Sequence, residues 1–165
     1  MIAGLAICTN APISFSMKRI LMTAALAALP FAATANTYEA WSADPTKIFT
    51  SDEVDLEELR WQLRAVVVFG QGDNDPLFLE QMDLITSRID ELAERDVIVI
   101  TDTDPDALSD IRRKLRPRSF MMVLIDKAGQ VELRKPGPWN VRELSRSIDK
   151  MPLRQQEINN RRTGQ

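Results

Sequence analysis

Histidine is missing from the chain altogether, and its one cysteine, Cys8, lies close to the N-terminus. Without imidazole or thiol, residues 36–165 cannot carry Ser–His–Asp or Cys–His catalysis, thiol redox chemistry, or a His-ligated zinc or copper centre. They also contain no disulfide, so the fold must rest on packing. No apolar run reaches the roughly 20 residues needed to span a bilayer. The chain is acidic, with net charge −3, and lacks the basic–aromatic interleaving of a nucleic-acid surface. With 44% hydrophobic and 27% charged residues, its composition is that of a globular protein and excludes a collagen, a coiled-coil rod or a wholly disordered chain.

What is present begins with a leader. Met17-Lys18-Arg19 opens a basic start, Ile20 to Ala33 is apolar but interrupted by Pro30, and Ala33-Thr34-Ala35 places small residues at −3 and −1. This layout predicts a secretory signal peptide cut between Ala35 and Asn36, the alternative being an uncleaved apolar anchor. Residues 1–16 then form an upstream extension, and the remaining chain is expected in the periplasm or outside the cell, with no stable membrane span. That remainder is one domain in size, large enough to bury a core.

Residues 36–60 read as a polar lead segment, and Leu56, Leu59 and Leu63 at and just beyond its end have the spacing of a short helix leading into the core. Ala65–Phe69 is a β-branched run ended by Gly70, which predicts a buried strand. Phe78, Met82, Ile85, Ile89 and Leu92 recur in steps of four and three, which predicts one helix. Val97–Thr101 is a second strand. Leu108, Ile111 and Leu115 mark a further helix ending near Arg116-Pro117. Phe120–Ile125 and Val131–Lys135 flank a turn at Lys127–Gln130, and Asn140 is placed to cap a last helix with the stripe Val141, Leu144, Ile148 and Met151. Residues 153–165 have little apolar content and read as a polar, frayed tail. The order β-α-β-α-β-β-α predicts an α/β fold in which helices cover both faces of a four-stranded mixed sheet.

The segments Val66–Phe69 with Asp75-Pro76, Leu92–Asp96, Phe120–Gly129, Leu133-Arg134 and Ile148–Arg154 through Glu157 carry a resemblance. Over about residues 60–158, with its centre at 61–152, the sequence resembles a thioredoxin-superfamily domain. More narrowly it is similar to a domain of unknown function found in small secreted bacterial proteins and in sushi-repeat extracellular proteins. Thioredoxins carry Cys-x-x-Cys between the first strand and its helix, where this chain has Gly70-Gln71-Gly72-Asp73-Asn74-Asp75-Pro76. Met121 stands where the family has a cis-proline. The resemblance therefore implies the thioredoxin-like fold without its redox activity.

Two acidic loops follow the first two strands, one with Asp73 and Asp75 and the other with Asp102, Asp104 and Asp106. Both should emerge at the carboxyl edge of the sheet, where α/β folds bind ligands, and clustered carboxylates suit a hard cation. Asp75-Pro76 and Asp104-Pro105 also match the cap-and-first-residue pair that opens helices, which needs no ligand. Asp102-x-Asp104-x-Asp106 fails as a calcium loop, because Ala107 and Arg113 occupy the glycine and carboxylate positions. Its similarity to the Asp-x-Asp of haloacid-dehalogenase-type phosphatases lacks their chain length and context.

Charge is unevenly distributed. Residues 36–110 hold 19 acidic and 5 basic residues, and 111–165 hold 14 basic and 5 acidic. Arg112, Arg113, Arg116 and Arg118 are candidates for an anion or partner surface, against the simpler reading that the two halves neutralise each other. Complementary faces also fit self-association. Of the tryptophans, Trp61 and Trp139 are expected in the core and Trp41 at the surface. One of Met121 and Met122 should face the core. The residues assign no catalytic group and imply no cofactor. They favour a binding or accessory module whose partner is another exported protein or an acidic surface. A divalent-cation protein or metal-dependent enzyme built on the acidic loops is the alternative.

Overall fold

The computed structural model describes residues 36–164. The expected leader Met17–Ala35, with the expected cleavage residue Ala35, lies outside them; Asn36 lies inside and caps the first helix by accepting from Tyr38 N. The elements are α1 (Thr37–Ala43), β1 (Ile48–Thr50), β2 (Arg64–Phe69), α2 (Pro76–Thr86), α3 (Ile89–Ala93), β3 (Val97–Asp102), α4 (Asp110–Leu115), β4 (Met121–Ile125), β5 (Val131–Lys135), α5 (Val141–Asp149) and α6 (Pro152–Thr163). None of these helices is long and apolar enough to cross a membrane.

The sheet order is β1-β3-β2-β4-β5, with β1, β3 and β2 parallel and β4 and β5 antiparallel to their neighbours. The expected thioredoxin-like α/β architecture is present, with five strands instead of four. The added strand comes from the lead segment. Ile48-Phe49-Thr50 is too short to show periodicity, yet it pairs with Val99-Ile100-Thr101 and buries Phe49.

Alternation along the central strands divides the core. Ala65, Val67, Phe69, Ile98, Ile100, Val123 and Ile125 face one layer with Trp41, Leu56, Leu59, Leu63, Ile111 and Leu115. Val66, Val68, Val97, Val99, Met122 and Leu124 face the other, under Ile85 and Leu92 and the stripe Val141, Leu144, Ile148 and Met151. Met122 is the buried methionine of its pair. Both layers are apolar because the central strands are covered on each side.

Several sequence expectations are corrected. Leu56, Leu59 and Leu63 are buried, but the first two lie on successive turns over 56–62, in which Trp61 adopts φ 67°, and Leu63 follows them just before β2. The single helix expected over 78–92 is two. The Thr86 and Ser87 hydroxyls donate to the carbonyls of Met82, Asp83 and Leu84, offering the backbone an alternative that ends α2. The helix expected from Pro105 starts only at Asp110, capped by Ser109, and Leu108 is 57% exposed with φ 46°. The tryptophans exchange places. Trp41 is 7% exposed in the first core layer, whereas Trp61 is 68% exposed. Trp139 is partly buried as expected, and the fully buried Gln81 both accepts from its N–H and donates to its carbonyl.

The polar tail is the largest correction. Residues 152–163 form α6, which docks by charge and not by apolar area. Glu157 accepts from Arg64, which is fully buried in β2, at 3.0 Å, and from Arg154 at 3.1 Å; Lys127 lies 3.0 Å away. Lys127 also donates to Asp96, and Arg95 grips Asp149 with two bonds of 2.9 and 3.0 Å. Burial pushes the Glu157 carboxyl up, but the donors Arg64, Lys127 and Arg154 outweigh it and bring the pKa down to about 2.

Candidate functional site

Because β2 and β3 are parallel, the segments that leave them emerge side by side at the carboxyl edge. Asp73 accepts from Thr103 Oγ1 at 2.6 Å and ties the two loops together. Asp75 caps α2: its Oδ1 accepts from Leu77 N and its Oδ2 from Gln71 N, both at 3.0 Å. Asp104 does not cap α4. It accepts from Asp106 N and Ala107 N and holds only a turn, so the Asp-Pro pair was a helix signal at one loop and a turn signal at the other.

Asp102 points inward. It is 4% exposed, and its Oδ1 accepts from Arg112 Nε at 3.0 Å and Nη2 at 2.7 Å. Its Oδ2 accepts from Ser109 Oγ at 2.5 Å, and the same hydroxyl accepts from Arg112 N to cap α4. Arg112 Nη2 also donates to the carbonyls of Gly70 and Asp102, so one guanidinium joins the ends of β2 and β3. Arg112 is therefore a structural group and not part of an anion surface. Its neighbours stay outside: Arg113 pairs with Asp110, and Arg116 and Arg118 are exposed. Asp73, Asp104 and Asp106 are exposed while Asp102 is enclosed, and among the described residues no group of three or more acidic, cysteine or histidine side chains could hold a metal ion.

The edge instead carries an open cleft of about 1250 Å³ between the segment 50–58 and the β3–α4 region 101–114. Seven exposed carboxylates line it (Asp52, Glu53, Asp55, Glu57, Glu58, Asp104 and Asp110), above the enclosed Asp102, against two cations, Arg113 and Lys114. Lys114 reaches Glu57 at 2.5 Å and links the two walls. Hydrogen bonds favour the ionised form of three of these carboxylates: the Lys114 and Arg60 ammonium and guanidinium groups hold Glu57 below the usual range, the Thr50 N–H does so for Glu53, and the Thr50 hydroxyl for Asp52.

Reading the sequence located the 101–106 wall but not its partner. The acidic run 52–58 is brought there by β1, whose pairing continues into the bond from Ser51 N to Thr101 O. The only local signal was the short β-prone stretch Ile48-Phe49-Thr50.

No curated protein matches the sequence. Among solved structures, the chain is similar to Plasmodium yoelii thioredoxin peroxidase I, at 18% identity over 61% of this chain and 81% of that one, with a TM-score of 0.49. It is also similar to the mitochondrial 2-Cys peroxiredoxin from Plasmodium falciparum, at 18% identity over 71% of this chain and 90% of that one, with a TM-score of 0.43. The model of one family matches residues 55–157, and the chain accordingly belongs to the family described as Domain of unknown function (DUF4174).

Proposed function

We propose that the protein is exported and acts in the periplasm or outside the cell as a redox-inactive binding module, holding a cationic segment of a partner protein in the acidic cleft. The observation that carries this reading is the charge of the cleft walls, seven exposed carboxylates against two cations. Two further facts support it. The β2–α2 loop, where thioredoxins carry their thiols, spends Asp73 and Asp75 on structural bonds and has no cysteine. The signal-like leader before Asn36 and the lack of cysteine beyond it fit an exported chain that folds without disulfides.

The test is a nuclear magnetic resonance titration of the protein with oligolysine. Amide shifts confined to 51–58 and 101–110, weakened as salt rises, are expected. Shifts scattered over the surface, or none, overturn the cleft as the binding face. Saturable shifts with Ca²⁺ or Mg²⁺ that Asp104→Asn abolishes would instead establish the divalent-cation alternative. In a parallel assay the protein should not accelerate reduction of insulin disulfides by dithiothreitol; acceleration overturns redox inactivity.

A further inference from the structure

A second concavity, of about 510 Å³, shares Leu108 and Arg113 with the acidic cleft but has the opposite character. Pro105, Leu108 and Pro117 give it apolar walls, and Arg113, Arg116 and Arg118 give it three guanidinium groups. We propose that this pocket binds a small phosphate or sulfate monoester, with the guanidinium groups on the oxyanion and the apolar walls on its substituent.

The simplest competing role for these arginines is to offset the carbonyl end of α4. That role is already filled. Arg134 Nη1, from β5, donates to Leu115 O at 2.7 Å, and the Arg116 N–H closes onto Arg112 O. Nor are Arg116 and Arg118 held by acids. Arg116 and Arg118 make no side-chain hydrogen bond or ion pair among the described residues. Arg113 meets only the exposed Asp110 one turn away, a pair of small worth in water. Arg112, behind them, is neutralised by Asp102 and adds no free charge.

Backbone conformation points to the same place. Four non-glycine residues among the described residues have a positive φ; at this pocket Arg116 (50°) takes it as the left-handed cap that ends α4, whereas Leu108 (46°) ends no helix. Leu108 is also one of the most exposed large apolar side chains, at 57%. Such strain gathers where a fold holds a side chain in place for binding. A guanidinium fork matches the paired oxygens of a phosphate or sulfate, and an apolar wall beside it selects an ester over the free anion.

The test is calorimetric titration of the full chain with phenyl phosphate and with inorganic phosphate. Phenyl phosphate should bind about tenfold more tightly. Arg116→Gln/Arg118→Gln should weaken it by at least about tenfold, whereas Arg142→Gln, on the exposed face of α5, should leave it unchanged. Leu108→Asn, which suits the left-handed backbone, should bring the two ligands to equal affinity. Unchanged melting temperatures show that the variants fold. Absence of phenyl phosphate binding, retention of binding by the double variant, or an equal loss in Arg142→Gln overturns the proposal.

Sedimentation with phosphatidylcholine vesicles, with and without phosphatidate, identifies the source of the ester. Phosphatidate-dependent sedimentation that phenyl phosphate displaces assigns it to a lipid headgroup. Solution binding without sedimentation assigns it to a free metabolite. Sedimentation without phenyl phosphate binding overturns the pocket.

Discussion

Arg112 lies 2.7 Å from Asp102, with both side chains enclosed at the carboxyl edge of the sheet. The pair closes the end of the β2–β3 ladder and fixes the start of α4 through Ser109. Removing one partner leaves the other charge buried alone. Arg112→Met should therefore cost about 3–5 kcal/mol. Asp102→Leu/Arg112→Met removes both charges and should be less damaging than the single change. Urea unfolding of the two variants decides it, and a larger loss in the double variant would refute the pairing.

Glu157 gives the protein a specific acid sensitivity. Its carboxyl titrates near 2 when folded, against 4.5 when free. A depressed folded value stabilises above the free value and is lost as pH falls through the folded one, so the window runs from about pH 4.5 down to 2. Glu157→Gln should cost about 2–3 kcal/mol at pH 7, and the gap to the native chain should close across that window. Chemical unfolding measured from pH 7 to 2 checks both points.

Trp41, in the first core layer, and Trp61, at the surface, should behave oppositely. Trp41→Ala empties a buried site and should cost about 3–5 kcal/mol. Trp61→Asn replaces an exposed ring at a positive φ and should change stability by no more than about 0.5 kcal/mol. Thermal unfolding tests the energies. Acrylamide should quench Trp61 emission far more than Trp41 emission in the single-tryptophan variants.

Identical Asp-Pro pairs have unequal value. Asp75→Ala removes a true helix cap, together with the bond to Gln71 N, and should cost about 1 kcal/mol. Asp104→Ala releases only a turn and should cost about half as much. Equal losses in urea unfolding would contradict this assignment.

The α6 helix shows where reading the sequence falls short. Its residues gave no apolar stripe, and hydrophobic periodicity is the main signal by which a helix is recognised. Its anchor is a carboxylate answered by Arg64, more than ninety positions away, and Arg64 itself stood unnoticed at the head of an apolar run. The same limit hid the acidic cleft, whose second wall depends on three residues of edge strand.

Local chemistry alone determined the central strands, the stripe of α5, the caps at Asp75 and Asn140, and the lack of thiol and imidazole beyond residue 36. Each of these is written within a few residues, as alternation, a 3.6-residue repeat, a capping side chain or a missing functional group. Tertiary structure decided which charges are spent and which stay free: Arg112 is enclosed by Asp102, while Arg116 and Arg118, a few positions on, remain at the surface. That division depends on burial and on partners from distant strands, and a charged residue looks the same in the sequence whether it ends in water or against its counter-ion.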